Sequence, residues 1–196
     1  MANSLFTELQ AAAFREGLNP RTKKAREWFR KKAQGLNRIN KMDLISDRRL
    51  TQQDTPAPGK MMMYFYSPKT KDTLPYYDTF PLIIFVDSGP GNSFYGLNMH
   101  YLPPAPRAKL FDALLATKNN SKYDESTKLK LNYNLLQSTA KYSAFKPCFK
   151  RYLTGYVKSK MVIVDAPEWP IALFLPTESF KKAGTSTVWS DSRKML

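Results

Sequence analysis

Hydrophobic positions are densest between residues 61 and 101, where aromatic and β-branched residues are interrupted by turn-forming Pro and Gly. This composition is typical of strands joined by turns. We predict strands over residues 61–67, 80–87 and 93–101. The continuous apolar run at residues 81–86 predicts that the middle strand is buried on both faces at the centre of a sheet.

A different spacing, with apolar residues three or four positions apart, predicts helices on both sides of this region. The first helix is expected to stop at Gly17, and the second to begin at an Asn19-Pro20 cap and stop at Gly35. Two late strands are expected to return to the sheet. The predicted helices cover residues 4–15, 21–34, 107–117, 125–142 and 145–158, and the late strands cover residues 160–165 and 171–175.

The order of these elements predicts an α+β fold. We expect a small, mostly antiparallel sheet or partly open barrel of about five strands, with helices on one side and a basic helical N-terminal arm. The arm would cover residues 1–42 and the α+β domain residues 61–186. Residues 43–60 are polar and rich in proline, which predicts a linker. The polar residues 187–196 predict a tail that becomes ordered only on a partner.

Basic residues far outnumber acidic ones in this chain. It has 31 Lys and Arg against 16 Asp and Glu, a formal net charge of +15 over 196 residues. This excess favours a polyanionic partner, with nucleic acid ahead of a membrane surface, because no basic helix has the broad apolar face that lipid requires. The alternatives are a surface that is basic only for solubility and one that docks an acidic protein.

The cations form two clusters along the chain. In the first, around the helix predicted at residues 21–34, Glu27 is the acidic residue among the cations, and phosphates would relieve their repulsion by releasing counterions. Trp28 and Phe29 either pack this helix on the sheet or stack on an unpaired base. The second cluster is interleaved with aromatic residues and is either another polyanion surface or an ordinary solvated helix face. The candidate DNA-binding residues are Arg21, Lys23, Lys24, Arg26, Arg30, Lys31, Lys32, Arg38, Lys146, Lys150, Arg151 and Lys158.

Residue patterns of enzymes and cofactor sites are sparse. The single Cys148 and the single His100 provide too few ligands for a zinc site, and one cysteine fits a reducing compartment. Asp87, Asp165 and Glu168 follow or flank predicted strands and could serve a metal-dependent nuclease if they converged on one ion. We expect no enzyme activity, no metal ligands and no cofactor, with the nuclease as an alternative.

Several longer stretches resemble virion proteins of T-even-type tailed phages. They are PRT at residues 20–22, REWF at 26–29, YFYSPK at 64–69, LPYYD at 74–78, FPL at 80–82 and FYGLN at 94–98. With RAKLFD at residues 107–112 and FKPC at 145–148, the chain is similar to the DNA end protector protein family. The resemblance spans most of the chain but includes no catalytic motif, and it transfers no binding residue.

The resemblance implies a virion protein of the head and neck region that binds the end of packaged linear double-stranded DNA and protects it from host exonuclease. It implies further partners among phage structural proteins such as portal or neck subunits, and passage through the host cytoplasm during assembly. No membrane partner is expected, because no apolar run reaches the ~20 residues that a membrane span requires. Two alternatives stay open. One is a purely structural neck or tail connector, or baseplate component, that binds other virion proteins. The other is a metal-dependent nuclease for head completion.

Overall fold

The computed structural model describes residues 5–19, 22–36, 39–116, 131–138 and 140–196. The helices are α1 (Leu5–Arg15), α2 (Lys23–Gln34), α3 (Lys41–Ser46), α4 (Pro104–Leu115), α5 (Tyr133–Ser138), α6 (Trp169–Ala172) and α7 (Thr185–Lys194). The strands are β1 (Thr51–Gln53), β2 (Met61–Met63), β3 (Tyr77–Asp78), β4 (Leu82–Gly89), β5 (Ser93–Asn98), β6 (Phe149–Leu153), β7 (Met161–Val164) and β8 (Phe180–Lys181). Short 3-10 helices cover Met99–Tyr101, Ala140–Cys148, Thr154–Tyr156 and Ala166–Glu168.

The main sheet has six antiparallel strands in the order β1-β7-β2-β4-β5-β6. Met61 at the start of β2 lies opposite Ile84 of β4 and Val164 of β7, so early and late parts of the chain meet at the centre of the sheet. Strands β3 and β8 form a separate pair. The predicted α+β fold is confirmed. The sheet is open, with β1 and β6 at its edges, and does not close into a barrel.

Helices cover one face of the sheet, as predicted. Phe6 of α1, Phe29 of α2 and Trp169 of α6 are buried in a single cluster with one set of strand side chains. The opposite face carries a smaller cluster that includes Tyr64 and Tyr152, and no described residue of α1 to α7 belongs to it. Successive strand residues point to opposite faces, so the large side chains on both faces of β2 are all buried.

Two segments have more structure than the sequence predicted. Residues 43–60, interpreted as a linker, contain most of α3 and strand β1, which pairs with β7. The predicted tail is also wrong, because α7 is held by the fully buried Val188 and by Trp189, whose Nε1 donates to the carbonyl of His100 at 2.8 Å. The sequence did not reveal these elements because β1 has only three residues and α7 buries a single large apolar side chain, Val188, so neither shows a hydrophobic period.

Two predicted elements have the wrong type. Residues 171–175 form the end of α6 and the turn after it, because a buried apolar run of five residues suits a helical turn as well as a strand. Residues 145–158, predicted to be helical, form the end of a 3-10 helix and then β6, which pairs with β5. Within the helix predicted at residues 125–142, α5 is present, whereas residues 117–130 lie outside the described part of the chain.

The glycines predicted to end the first two helices do so, but the residue that caps the start of α2 differs from the prediction. Gly17 after α1 has a φ of 69°, and Gly35 caps α2. The N-cap of α2 is Thr22, whose Oγ1 accepts a hydrogen bond from the amide of Ala25 at 3.2 Å, and not the predicted Asn19-Pro20. No helix in the described ranges is long and apolar enough to traverse a lipid bilayer.

Candidate nucleic-acid interface

One face of α2 is strongly cationic. Ala25, Phe29 and Ala33 recur every four residues and are buried, which places the remaining positions of the helix toward solvent. Among these, Lys23, Lys24, Lys31 and Lys32 are exposed, and we call them the α2 lysine face. Of the other cations predicted in this cluster, Arg21 and Arg38 lie outside the described residues.

Arg26 and Arg30 lie partly between helices. The Nε of Arg26 is 2.9 Å from Oδ1 of Asp112 in α4, and the Arg26 side chain is 19% exposed. With Lys109, the two arginines help line a groove of about 260 Å³ between α2 and α4. The charge of Arg26 therefore attaches α2 to α4, which the sequence did not predict, and the α2 lysine face is the more accessible part of the cluster.

Trp28 and Phe29 hold α2 in place. Phe29 is buried, and the rings of the two residues meet edge to face with centres 5.2 Å apart. The indole Nε1 of Trp28 donates to Oε2 of Glu16 at 2.6 Å, and Nζ of Lys32 lies 5.3 Å from the centre of a Trp28 ring. These contacts support packing over base stacking for both aromatic residues.

The second predicted cluster does not lie on one helix. Lys146 is exposed on a 3-10 helix, and Lys158 is exposed after another, with Nζ 5.7 Å from the centre of the Tyr156 ring. Lys150 and Arg151 are consecutive residues of β6 and point to opposite faces of the sheet. The predicted continuous basic and aromatic helix face is therefore wrong.

Lys150 and Arg151 are held in different ways. The Nζ of Lys150 is 4.1 Å from the centre of the Tyr101 ring, and burial lowers the pKa of this half-buried lysine. The Nε of Arg151 donates to Oγ of Ser93 at 3.0 Å, and its Nη2 donates to the carbonyl of Pro90 at 3.0 Å. Arg151 therefore links β6 to the turn between β4 and β5.

A cavity of about 530 Å³ opens beside Lys150, between β6 and residues 66–78. Its lining combines aromatic rings with three cations. The aromatic residues are Tyr66, Tyr76, Tyr77, Tyr101, Phe149 and Tyr152, and the cations are Lys69, Lys150 and Arg151. Sequence reasoning missed this site because the lining comes from segments about 75 residues apart and Lys150 was expected on a helix face.

A buried polar network lies behind the cavity. Nδ1 of His100 is 2.7 Å from Oδ2 of Asp78, and its Nε2 is 3.1 Å from Oγ1 of Thr177. Burial would raise the pKa of Asp78, but the charge of His100 and hydrogen bonds from His100, the Phe80 amide and Asn98 lower it overall. His100 and Thr177 have no exposed surface, so this Asp-His-hydroxyl arrangement offers no access to a substrate and serves the fold.

The acidic residues considered for a nuclease do not form a metal site. Among the described residues, no group of three or more His, Cys, Asp or Glu side chains could hold a metal ion. Burial, followed by the carboxylate of Asp165, raises the pKa of Glu168 to about 7. Burial also raises the pKa of the Cys148 thiol to about 12, which makes it a poor nucleophile. Neither group supports the nuclease alternative.

Within the described ranges, the α2 lysine face and the cavity beside β6 each bring several exposed or half-buried cations together with few acidic residues. No curated protein and no solved structure matches the chain. The family whose model is described as phage T4 terminal DNA protecting protein matches residues 1–192. This match covers nearly the whole chain, so the protein belongs to the phage T4 terminal DNA protecting protein family.

Proposed function

We propose that this protein binds the end of packaged linear double-stranded DNA in the head and neck region of the virion and shields it from host exonuclease. The role is structural and involves no turnover. Family membership supports protection of DNA ends. The virion location, the contact with portal or neck subunits and the passage through the host cytoplasm are parts of this proposal.

The observation that carries the proposal is the α2 lysine face. Its four lysines are exposed on a single 12-residue helix with a cationic last turn. The buried stripe of α2 packs on the helical layer of the fold, so the face is presented on a fixed element. A duplex places phosphates at regular spacing, and lysines on such a face can neutralise several of them at once.

The same chemistry suits a protein that must hold any terminus. Lysine contacts to phosphate carry no sequence information, so they fix position without selecting a particular end sequence. Protection also requires that bound protein blocks the terminus itself. The α2 lysine face therefore supplies affinity, and a further contact at the terminus must supply the preference for ends.

Charge reversal tests the α2 lysine face. Replacing Lys23, Lys24, Lys31 and Lys32 with Glu should lower affinity for a short duplex and flatten its salt dependence. The slope of log K against log salt should fall in magnitude by about 0.9 for each lysine that contacts a phosphate. Fluorescence anisotropy over a salt series measures both quantities, and circular dichroism checks the fold.

A control variant with the same change in net charge separates this surface from long-range electrostatics. Four exposed lysines outside α2, Lys71, Lys158, Lys160 and Lys181, are replaced with Glu. The control should lose some affinity but keep most of the wild-type slope. If instead the control loses the slope and the α2 variant keeps it, DNA binds at one or more of these four lysines and not on α2.

The alternative function, a purely structural connector, predicts a different result for the same charge-reversal experiment. Its basic surfaces would meet acidic neighbouring subunits, so the purified protein would bind DNA weakly and give no protection. The α2 charge reversal would then weaken incorporation into particles while leaving the weak DNA binding almost unchanged.

A further inference from the structure

The cavity beside β6 has the composition of a nucleotide site. Its volume of about 530 Å³ lies within the range of roughly 300–1,000 Å³ that is usual for small-molecule sites. Aromatic rings from two segments line it: Tyr76 and Tyr77 come from the segment before β4, and Phe149, whose ring also stacks on Tyr95, comes from β6. Rings of this kind stack on bases of any sequence.

The charge of the lining is complementary to phosphate. Its acidic residue is Asp78, which is 4% exposed and already bonded to His100 and Asn98. In the described part of the chain, no carboxylate forms an ion pair with Lys69, Lys150 or Arg151. An anion that entered the cavity would meet cations without displacing an acidic partner.

Lys150 is the cation best placed to recognise such an anion. It is half-buried and its Nζ lies over the ring of Tyr101, so the ammonium group is held at the wall of the cavity. Burial disfavours its charged form, and a phosphate nearby would restore it. An ammonium group kept in such a place without an acidic partner gains more from an entering phosphate than a solvated lysine does.

We propose that this cavity holds one unpaired nucleotide at the DNA terminus, with its base against the tyrosine and phenylalanine rings and its phosphate at Lys150 and Lys69. This inference rests on the proposed binding of DNA ends. None of the lining residues belongs to α2, so the site is separate from the α2 lysine face. It supplies the contact at the terminus that the lysine face lacks.

The energetics explain why such a cavity selects ends. A nucleotide inside a duplex must lose its pairing and stacking on both sides before it can enter, whereas a terminal one loses less and an unpaired one almost nothing. Entry should therefore be favoured at a terminus and most favoured where the last nucleotide has no partner.

Binding of four DNAs to the wild-type protein tests this inference. They are a closed circle, a blunt linear duplex, and the same duplex with one unpaired nucleotide at the 5′ or at the 3′ end. Linear DNA should bind more tightly than the circle, and one of the unpaired nucleotides should add about tenfold in affinity over the blunt end.

Two matched substitutions test whether the tenfold gain in affinity from an unpaired nucleotide arises in the cavity. Lys150→Met removes the charge at the cavity wall and should abolish the tenfold gain and weaken the preference for linear DNA over the circle, while affinity for the circle, which depends on the α2 lysine face, should stay unchanged. Lys158→Met removes the same charge from an exposed lysine outside the lining and should keep the gain. If Lys150→Met does not fold, Lys69→Met at the exposed rim should reduce the gain by about threefold.

The outcomes separate the two proposals. If wild-type protein binds the circle as tightly as linear DNA, the proposed function fails. If it prefers linear DNA but gains nothing from an unpaired nucleotide, or if Lys150→Met keeps the gain, the terminal-nucleotide site is wrong. Free deoxyadenosine monophosphate should compete for the gain. If this nucleotide binds through Lys150 although unpaired ends give no gain, the cavity takes a free nucleotide and the inference is also overturned.

Discussion

The buried charge of Arg107 is matched by a carboxylate and by backbone carbonyls. Arg107 is 1% exposed and donates to the carbonyls of Leu102 and Leu173 and, at 2.6 Å, to the carboxylate of Glu178. Removing one partner of such a set costs about 3–5 kcal/mol, because it leaves a buried charge uncompensated. The α2 lysines are exposed and carry no such cost, so changing them should disturb the fold far less than removing a partner of Arg107.

Glu168 is an exception that makes stability depend on pH. Its raised pKa, about 7, means that the folded protein resists ionising this carboxyl group. The stabilising contribution is complete below the unfolded pKa of about 4.3 and is lost as the pH rises through about 7. We expect Glu168→Gln to increase the free energy of unfolding by about 1 kcal/mol at pH 8, a value reduced for partial exposure, and to change it little at pH 4.

Urea denaturation of wild-type protein and Glu168→Gln at both pH values measures this difference. The same substitution at Glu27, which is exposed on α2, controls for the removal of a carboxylate from a basic protein. An equal gain at pH 4 and pH 8 would mean that ionisation of Glu168 does not oppose folding.

At the scale of elements, helices and strands were predicted most accurately where the spacing of apolar residues is regular over many positions. Helices α1 and α2 and the four central strands of the sheet were found because their apolar positions fit one period and are bounded by glycine or proline. Strands β1 and β6 were missed. The first is too short and polar to show a period, and the mixed basic and aromatic residues of β6 suit a helix as well as an edge strand.

The candidate site shows the same limit. The α2 lysine face follows from a single helix and could be read from spacing alone. The cavity beside β6 depends on long-range pairing of β5 with β6 and on the position of residues 66–78, which no local pattern encodes. The bonding of His100 to both Asp78 and Thr177 likewise joins residues up to 99 positions apart in the numbering.

The end of α1 provides a test of local backbone chemistry. Gly17 has a φ of 69°, and the amide of the next residue, Leu18, donates to the carbonyl of Ala13 at 3.0 Å. A Cβ at Gly17 would meet nothing within 4 Å, so Gly17→Ala isolates the cost of the left-handed conformation. We expect a loss of about 1 kcal/mol in the free energy of unfolding, measured by chemical denaturation.

Gly155 is the matched control for this substitution. A Cβ there would also meet nothing within 4 Å, and its φ lies outside the left-handed range. Gly155→Ala should therefore leave stability unchanged or raise it slightly. Equal effects at the two glycines would show that the α1 terminus does not depend on the left-handed residue.

At the scale of the whole molecule, the net charge of +15 is distributed with a clear division of roles. Arg26 and Arg107 stabilise the packing of helices, whereas the α2 lysine face and the half-buried Lys150 carry charge that the fold itself does not neutralise. In our proposal the lysine face binds the duplex and the cavity receives its last nucleotide. Affinity and end preference would then come from separate surfaces of one small protein.

The most direct test is protection of linear DNA from a processive exonuclease, measured as the fraction of full-length DNA that survives in the presence of an equimolar amount of closed circular DNA. We expect wild-type protein to protect the linear DNA despite the circle, and the α2 charge reversal to lose this protection at moderate salt. Loss of wild-type protection on adding the circle would contradict recognition of ends. Failure to protect even without the circle would contradict the proposed function as a whole.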